Sequence, residues 1–175
     1  NVTITANQRA VWDSRSYLDS SINCSGEVKI TSKNAAALHD GKLTITGATD
    51  VTISGKRDEG ATIGADAEIT CSGDVVLENT GGGNAVSGEL KYTPTHTQKY
   101  EIKTGTTAES AEVVYPGESG TGYTGAFNDP YINIAPASSG DTTPDDTGMV
   151  DSDSGAGGAV AAVLVGGAAV WGGYE

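Results

Sequence analysis

The sequence predicts an all-β chain wound as a single-stranded parallel β-helix, right-handed by the general rule for parallel crossovers. It predicts about 4–5 coils of about 20–25 residues, followed by a Gly/Ala-rich C-terminal segment. Three observations carry this. "INCSGEVKITSKNAAALHDGKLTIT", starting at Ile22, aligns without a gap on "ITCSGDVVLENTGGGNAVSGELKYT", starting at Ile69, an offset of 47 residues. Within that unit "EVKIT", "DVTIS", "DVVLE" and "KYEIK" recur every 23 to 25 residues. Each copy keeps apolar residues at alternate positions, so one face of each strand is apolar and no copy can bury that face without its neighbours. An antiparallel sandwich of hairpins explains the short strands but not a unit recurring in register.

Taken in order, residues 1–20 read as an N-terminal strand, "NVTITANQ", and a cap or half-coil containing Trp12, Tyr17 and Leu18. A solenoid end needs such cover for its open edge. Residues 21–136 form the repeat domain. Its coils are expected to hold three short strands each, separated by Gly, Asp or Asn. Val28, Val51 and Val75 form one inward ladder, with Tyr100 a candidate fourth rung, and Leu43, Ile69 and Leu90 form another. Turns fall at Asp40-Gly41, Ser54-Gly55, Ser72-Gly73 and Ser87-Gly88, where positive φ is often required. Beyond Lys103 the pattern loosens, and the apolar runs Val113–Tyr115 and Tyr131–Ile134 are expected to close the domain.

Residues 137–154 are polar, acidic and of low complexity, a flexible linker. Residues 155–175 are rich in Gly and Ala. The stretch from Gly155 to Tyr174 is twenty uncharged residues, about the length that spans a bilayer. It contains one Leu, so its insertion drive is weak. A marginal span, a packed segment leading into an anchoring module, and a disordered end stay open.

Charge narrows the partners. The chain carries a formal net charge of −13 with a pI near 4.3. All ten Lys and Arg lie at or before Lys103. Nucleic acid is not expected, because phosphate contacts need clustered cations, nor is an anionic membrane surface. Membrane or cell-wall association is expected only through the C-terminal region.

Little in the sequence carries chemistry. Cys24 and Cys71 occupy equivalent positions two coils apart, about 10 Å at the strand spacing. That is too far for a disulfide, so two free, buried thiols are expected. His39 and His96 fall in turns without a nucleophile motif. Glu27, Asp50 and Asp74 precede equivalent strands and read as turn residues. Only Arg9, Arg15 and Arg57 are available for the cation-rich groove a lyase would need, and no carboxylate pair marks a hydrolase. "ENTGGGNAVSG" lacks the Lys and helix of a phosphate loop and reads as a coil corner. No cofactor is expected. Calcium on an acidic turn would be adventitious, because no calcium-loop pattern is present. Tyr92, His96 and Tyr100 are candidate glycan contacts, with Tyr115, Tyr123 and Tyr131 as further aromatic candidates.

The phrases "KLTITGATDVTISG", "EITCSGDVVLENTGGG" and "KYEIKTG", with the acidic linker and Gly/Ala run behind them, resemble large secreted repeat proteins of gut-type Firmicutes. Those are often labelled carbohydrate-binding-domain-containing or S-layer-like surface proteins. The resemblance covers roughly Ile22 to Pro136. It implies a β-helix displayed on the bacterial cell surface, with anchoring through a C-terminal module, and supplies no catalytic residue. The expectation is therefore a non-enzymatic, extracellular structural module that displays, extends or self-assembles into a fibre or layer. Its partners would be copies of itself, other surface proteins or glycans. The alternatives are a glycan-binding adhesin and, behind it, a polysaccharide lyase or hydrolase.

Overall fold

A computed structural model describes residues 1–11, 19–39 and 41–137. The expected cap residues Trp12, Tyr17 and Leu18, the linker beyond Ala137 and the Gly/Ala segment lie outside the described residues. Twelve strands are present: β1 (Val2–Ala6), β2 (Ser20–Asn23), β3 (Val28–Ser32), β4 (Leu43–Ala48), β5 (Val51–Gly55), β6 (Ala67–Cys71), β7 (Val75–Asn79), β8 (Leu90–Pro94), β9 (Tyr100–Gly105), β10 (Glu112–Gly117), β11 (Tyr123–Gly125) and β12 (Tyr131–Pro136). There is no helix among the described residues.

The chain is a β-solenoid of about four turns. One sheet has the order β1-β3-β5-β7-β12-β9-β10 and the other β11-β8-β6-β4-β2. Pairing is parallel from β1 to β7 in the first sheet and from β2 to β8 in the second. Alternation places the apolar residues inside, as in the fully buried Val28, Ile30, Val51, Ile53, Val75 and Leu77. The ladder Val28–Val51–Val75 is in register as the sequence predicts.

Three expectations change in detail. The third face of each coil is a single bridged residue, not a strand: Val11, Leu38, Ile63 and Val86 bridge in parallel. Buried Ala36, Ala37, Ala61 and Ala85 precede the bridged Leu38, Ile63 and Val86 and are small enough to pack at these narrow corners. In the second sheet Leu43 pairs with Ala67, which pairs with Leu90, while Ile69 lies between Ile45 and Tyr92. The expected ladder thus had Ile69 two residues out of register. A slip of two keeps the same face inward, so alternation cannot detect it. Tyr100 does not stack on Val75. Instead β12 runs antiparallel between β7 and β9, and Ile134 pairs with both Val75 and Ile102.

The apolar runs beyond Lys103 close this end. β10 pairs antiparallel with β9, β11 with β8, and β12 fills the gap. Behind them a line of rings runs outward: Tyr92 and Tyr100 edge-to-face at 5.1 Å, Tyr100 and Tyr115 at 6.2 Å, Tyr115 and Tyr123 at 4.7 Å, and Tyr123 and Phe127 stacked at 5.4 Å. Gly117 lets this happen, because a Cβ there would come within 2.1 Å of the Tyr100 ring.

Candidate functional site

The recurring acids serve the stacking of coils. Asp50 Oδ1 accepts from the Asp74 backbone N–H (3.0 Å), Asp66 Oδ1 from that of Glu89 (2.8 Å), and Asp19 Oδ1 from that of Lys42 (3.0 Å). Asn1 Oδ1 does the same for Glu27 (3.1 Å). Each side chain at one turn caps the strand start of the next coil, so the role expected of Asp50 as a turn residue holds. Among the described residues no group of three or more His, Cys, Asp or Glu side chains is placed to hold a metal ion.

The cysteines are free, as expected, but only Cys71 is buried and Cys24 is partly exposed. A register shift in β4, between Ile45 and Ala48, brings Ala48 beside Cys71. Burial pushes the Cys71 thiol up, and its Sγ lies 2.9 Å from the Thr49 carbonyl.

The expected glycan contacts do not survive as a surface. Tyr92 and Tyr100 are 0% and 1% exposed. They sit at inward positions of β8 and β9, where their rings fill the end of the core. Burial raises both phenols, that of Tyr100 to about 12. His96 is half-buried beside them, its Nε2 3.4 Å from Tyr92 Oη and its Nδ1 accepting from the Gln98 N–H at 3.2 Å. Tyr115, Tyr123 and Tyr131 are each half-buried.

A different place gathers functional groups. The loops after β1, β3 and β5 leave the first sheet at one corner of three successive coils. They enclose an open cleft of about 800 Å³. Arg9 and Gln8 come from the first loop, Asn34 from the second, Lys56 and Arg57 from the third, and His39 from beyond the Leu38 bridge. Asp58 and Glu59 stand on the third loop beside the cations. On sequence alone the arginines are too few for a cationic groove. The fold brings Arg9 and Arg57, 48 positions apart in the chain, to one cleft.

The backbone of the cleft is tied coil to coil. Lys33 N–H donates to the Ala6 carbonyl and Lys56 N–H to that of Ala35, both at 3.0 Å. Asn34 Nδ2 donates to the Asn7 carbonyl at 3.1 Å, and Ser32 Oγ donates to that of Gln8. Below Arg57, the buried Asn79 uses its whole amide. Oδ1 accepts from Arg57 N (2.8 Å) and Gly81 N (3.0 Å), and Nδ2 donates to the carbonyls of Asn84 (3.1 Å) and Gly60 (3.3 Å). Gly60 has φ +88°, and a Cβ there would come within 3.0 Å of Arg57 Cζ. The guanidinium therefore lies against a bare glycine. "ENTGGGNAVSG" is the corner beneath this loop, as expected of it.

One signal could have revealed the cleft. In the paired register Ala6 lies beside Ser32, and Thr31 beside Ser54. The residues just past these strands are therefore equivalent, and "NQR", "KNA" and "KRD" all place polar or cationic groups there. Applying the repeat to polar positions, not only to apolar ones, would have shown a polar column. No protein-family model, curated protein sequence or solved structure matches the chain.

Proposed function

We propose that this chain is a non-enzymatic display module of a bacterial cell-surface protein, a stiff spacer that works outside the cell. One observation carries the reading: the recurring polar side chains are consumed in joining coil to coil. Asp19, Asp50, Asp66 and Asn79 all cap backbone groups of an adjoining coil or corner. Such a chain holds its coils in register while its outer faces are left free to vary. The acidic composition and the resemblance to secreted repeat proteins support the surface location.

Display is favoured over self-assembly. A fibre built by end-to-end stacking needs both ends of the solenoid open. Here β10, β11 and β12 cover one end. β10 itself, the outer strand of its sheet, is broken by a register shift at Val113/Tyr115 and carries Pro116, features that blunt edge pairing. Light scattering with negative-stain microscopy on the full 175-residue chain tests this. Discrete monomers across a wide concentration range are expected. Filaments or sheets would replace the display reading with an assembly one.

A second reading, glycan binding, is favoured by the cleft of Arg9, Asn34, Lys56 and Arg57 rather than by the buried tyrosines.

A further inference from the structure

We propose that the cleft formed by the loops after β1, β3 and β5 binds an acidic polysaccharide, one bearing carboxylate or sulfate groups along a hydroxylated chain. This deepens the glycan-binding reading and is independent of the display reading.

The side chains define the ligand. In a protein with net charge −13, three of the ten Lys and Arg, namely Arg9, Lys56 and Arg57, line one cleft. Guanidinium forks pair with carboxylate or sulfate oxygens through two parallel hydrogen bonds, and an ammonium adds a point charge. Among the described residues neither the Lys56 ammonium nor the Arg57 guanidinium makes an ion pair, and Lys56 is exposed.

The remaining lining is of another kind. Gln8 and Asn34 offer both donors and acceptors, and Asp58 and Glu59 offer acceptors only. Hydroxyl groups satisfy both. An acidic peptide would meet Asp58 and Glu59 mainly with backbone N–H groups, whereas a sugar chain presents a row of hydroxyls that both donate and accept. No Phe, Tyr or Trp is among the described lining, where His39 carries the one aromatic ring, which disfavours a neutral sugar or a nucleic acid held by extended ring stacking. The geometry is also periodic. Successive coils stand ~4.8 Å apart, close to the advance of one pyranose along a chain, and the cleft draws on three coils. Arg57 is pre-positioned for such a ligand, because its backbone is pinned by Asn79 and its guanidinium rests on Gly60.

The test is calorimetric titration of the full chain at low salt with four probes. They are trigalacturonate, its fully methyl-esterified counterpart, a heparin tetrasaccharide and inorganic sulfate. We expect at least one of the two acidic oligosaccharides to bind, and the choice between them identifies carboxylate or sulfate as the group recognised. Binding should weaken as salt is raised. R57Q and K56Q should each weaken it about tenfold, the loss of one charge-assisted contact. K99Q, an exposed lysine paired with Glu118 next to β9, should leave it unchanged. Thermal melts check that each variant folds. The methyl ester binding as tightly as the acid would overturn the acidic class while keeping the glycan-binding reading. Silence of all three oligosaccharides at millimolar concentration would overturn both, as would binding of sulfate alone. Loss of affinity in K99Q equal to that in R57Q would show unlocalised charge attraction and overturn the site.

Discussion

Glu68 shows what one outward side chain gains from its place in a ladder. It lies beside Thr44 and Lys91 in the second sheet, with Lys42 Nζ 2.5 Å from Oε2 and Lys91 Nζ 2.7 Å from Oε1. Hydrogen bonds from Lys42 and then Lys91 hold its carboxyl down at about 2, and the same contact with Glu68 raises Lys42. The sign follows by linkage. A carboxyl lowered in the folded state contributes stability that is fully present above its ordinary value near 4.5 and is lost as pH falls toward about 2. The lysine contribution runs the other way, present below the ordinary 10.5 and lost as pH rises through the higher folded value. An NMR titration of the Glu68 carboxyl should find its midpoint near 2. A midpoint at the ordinary value would mean that the two ammoniums do not hold it in solution. The opposite charges at Glu68 and Lys91 were visible in the sequence, but not their adjacency, because 23 residues separate them and only the register brings them together.

At the scale of the element, the coil corner is the unit that sequence described least well. Alternation identified every strand from "EVKIT" to "KYEIK" because inward positions must be apolar. Corners obey no such period. Asn79 is one of few polar residues buried among the described residues, and nothing in "LENTGGG" separates it from an ordinary turn asparagine. Its side chain satisfies four backbone groups on two successive corners. Asn79→Ala strands those groups away from water, and an unsatisfied buried donor or acceptor costs about 1–3 kcal/mol. Urea unfolding should show a loss of about 2–3 kcal/mol, the remainder being recovered by water or relaxation. An unchanged midpoint would show that the corner does not depend on that amide. The same corner carries Arg57, so this variant should also loosen the cleft.

For the whole molecule, stability should depend on how many neighbours a strand has. A solenoid couples mainly adjacent coils, but β12 joins β7 to β9 and so locks the closed end. Ile132 pairs with Leu77 on one side and Thr104 on the other and is fully buried. Ile132→Ala should cost about 2–5 kcal/mol. Ile4, on the outermost strand of the same sheet, is only partly buried, and Ile4→Ala should cost clearly less. Chemical denaturation of the two variants checks this; equal losses would mean that the chain does not distinguish its ends.

By itself the sequence determined that this chain is all-β, that its coils stack in parallel, and which residues face inward. Those properties follow from period-2 alternation repeated at a fixed spacing, a local pattern imposed by burial. Tertiary structure alone decided the rest. It placed Ile69 against Ile45 rather than Leu43, slid β12 between β7 and β9, and gathered Arg9, Lys56 and Arg57 in one cleft. Each of these depends on register or on contacts between distant segments. A slip of two residues, or an inserted antiparallel strand, leaves the local hydrophobic pattern unchanged.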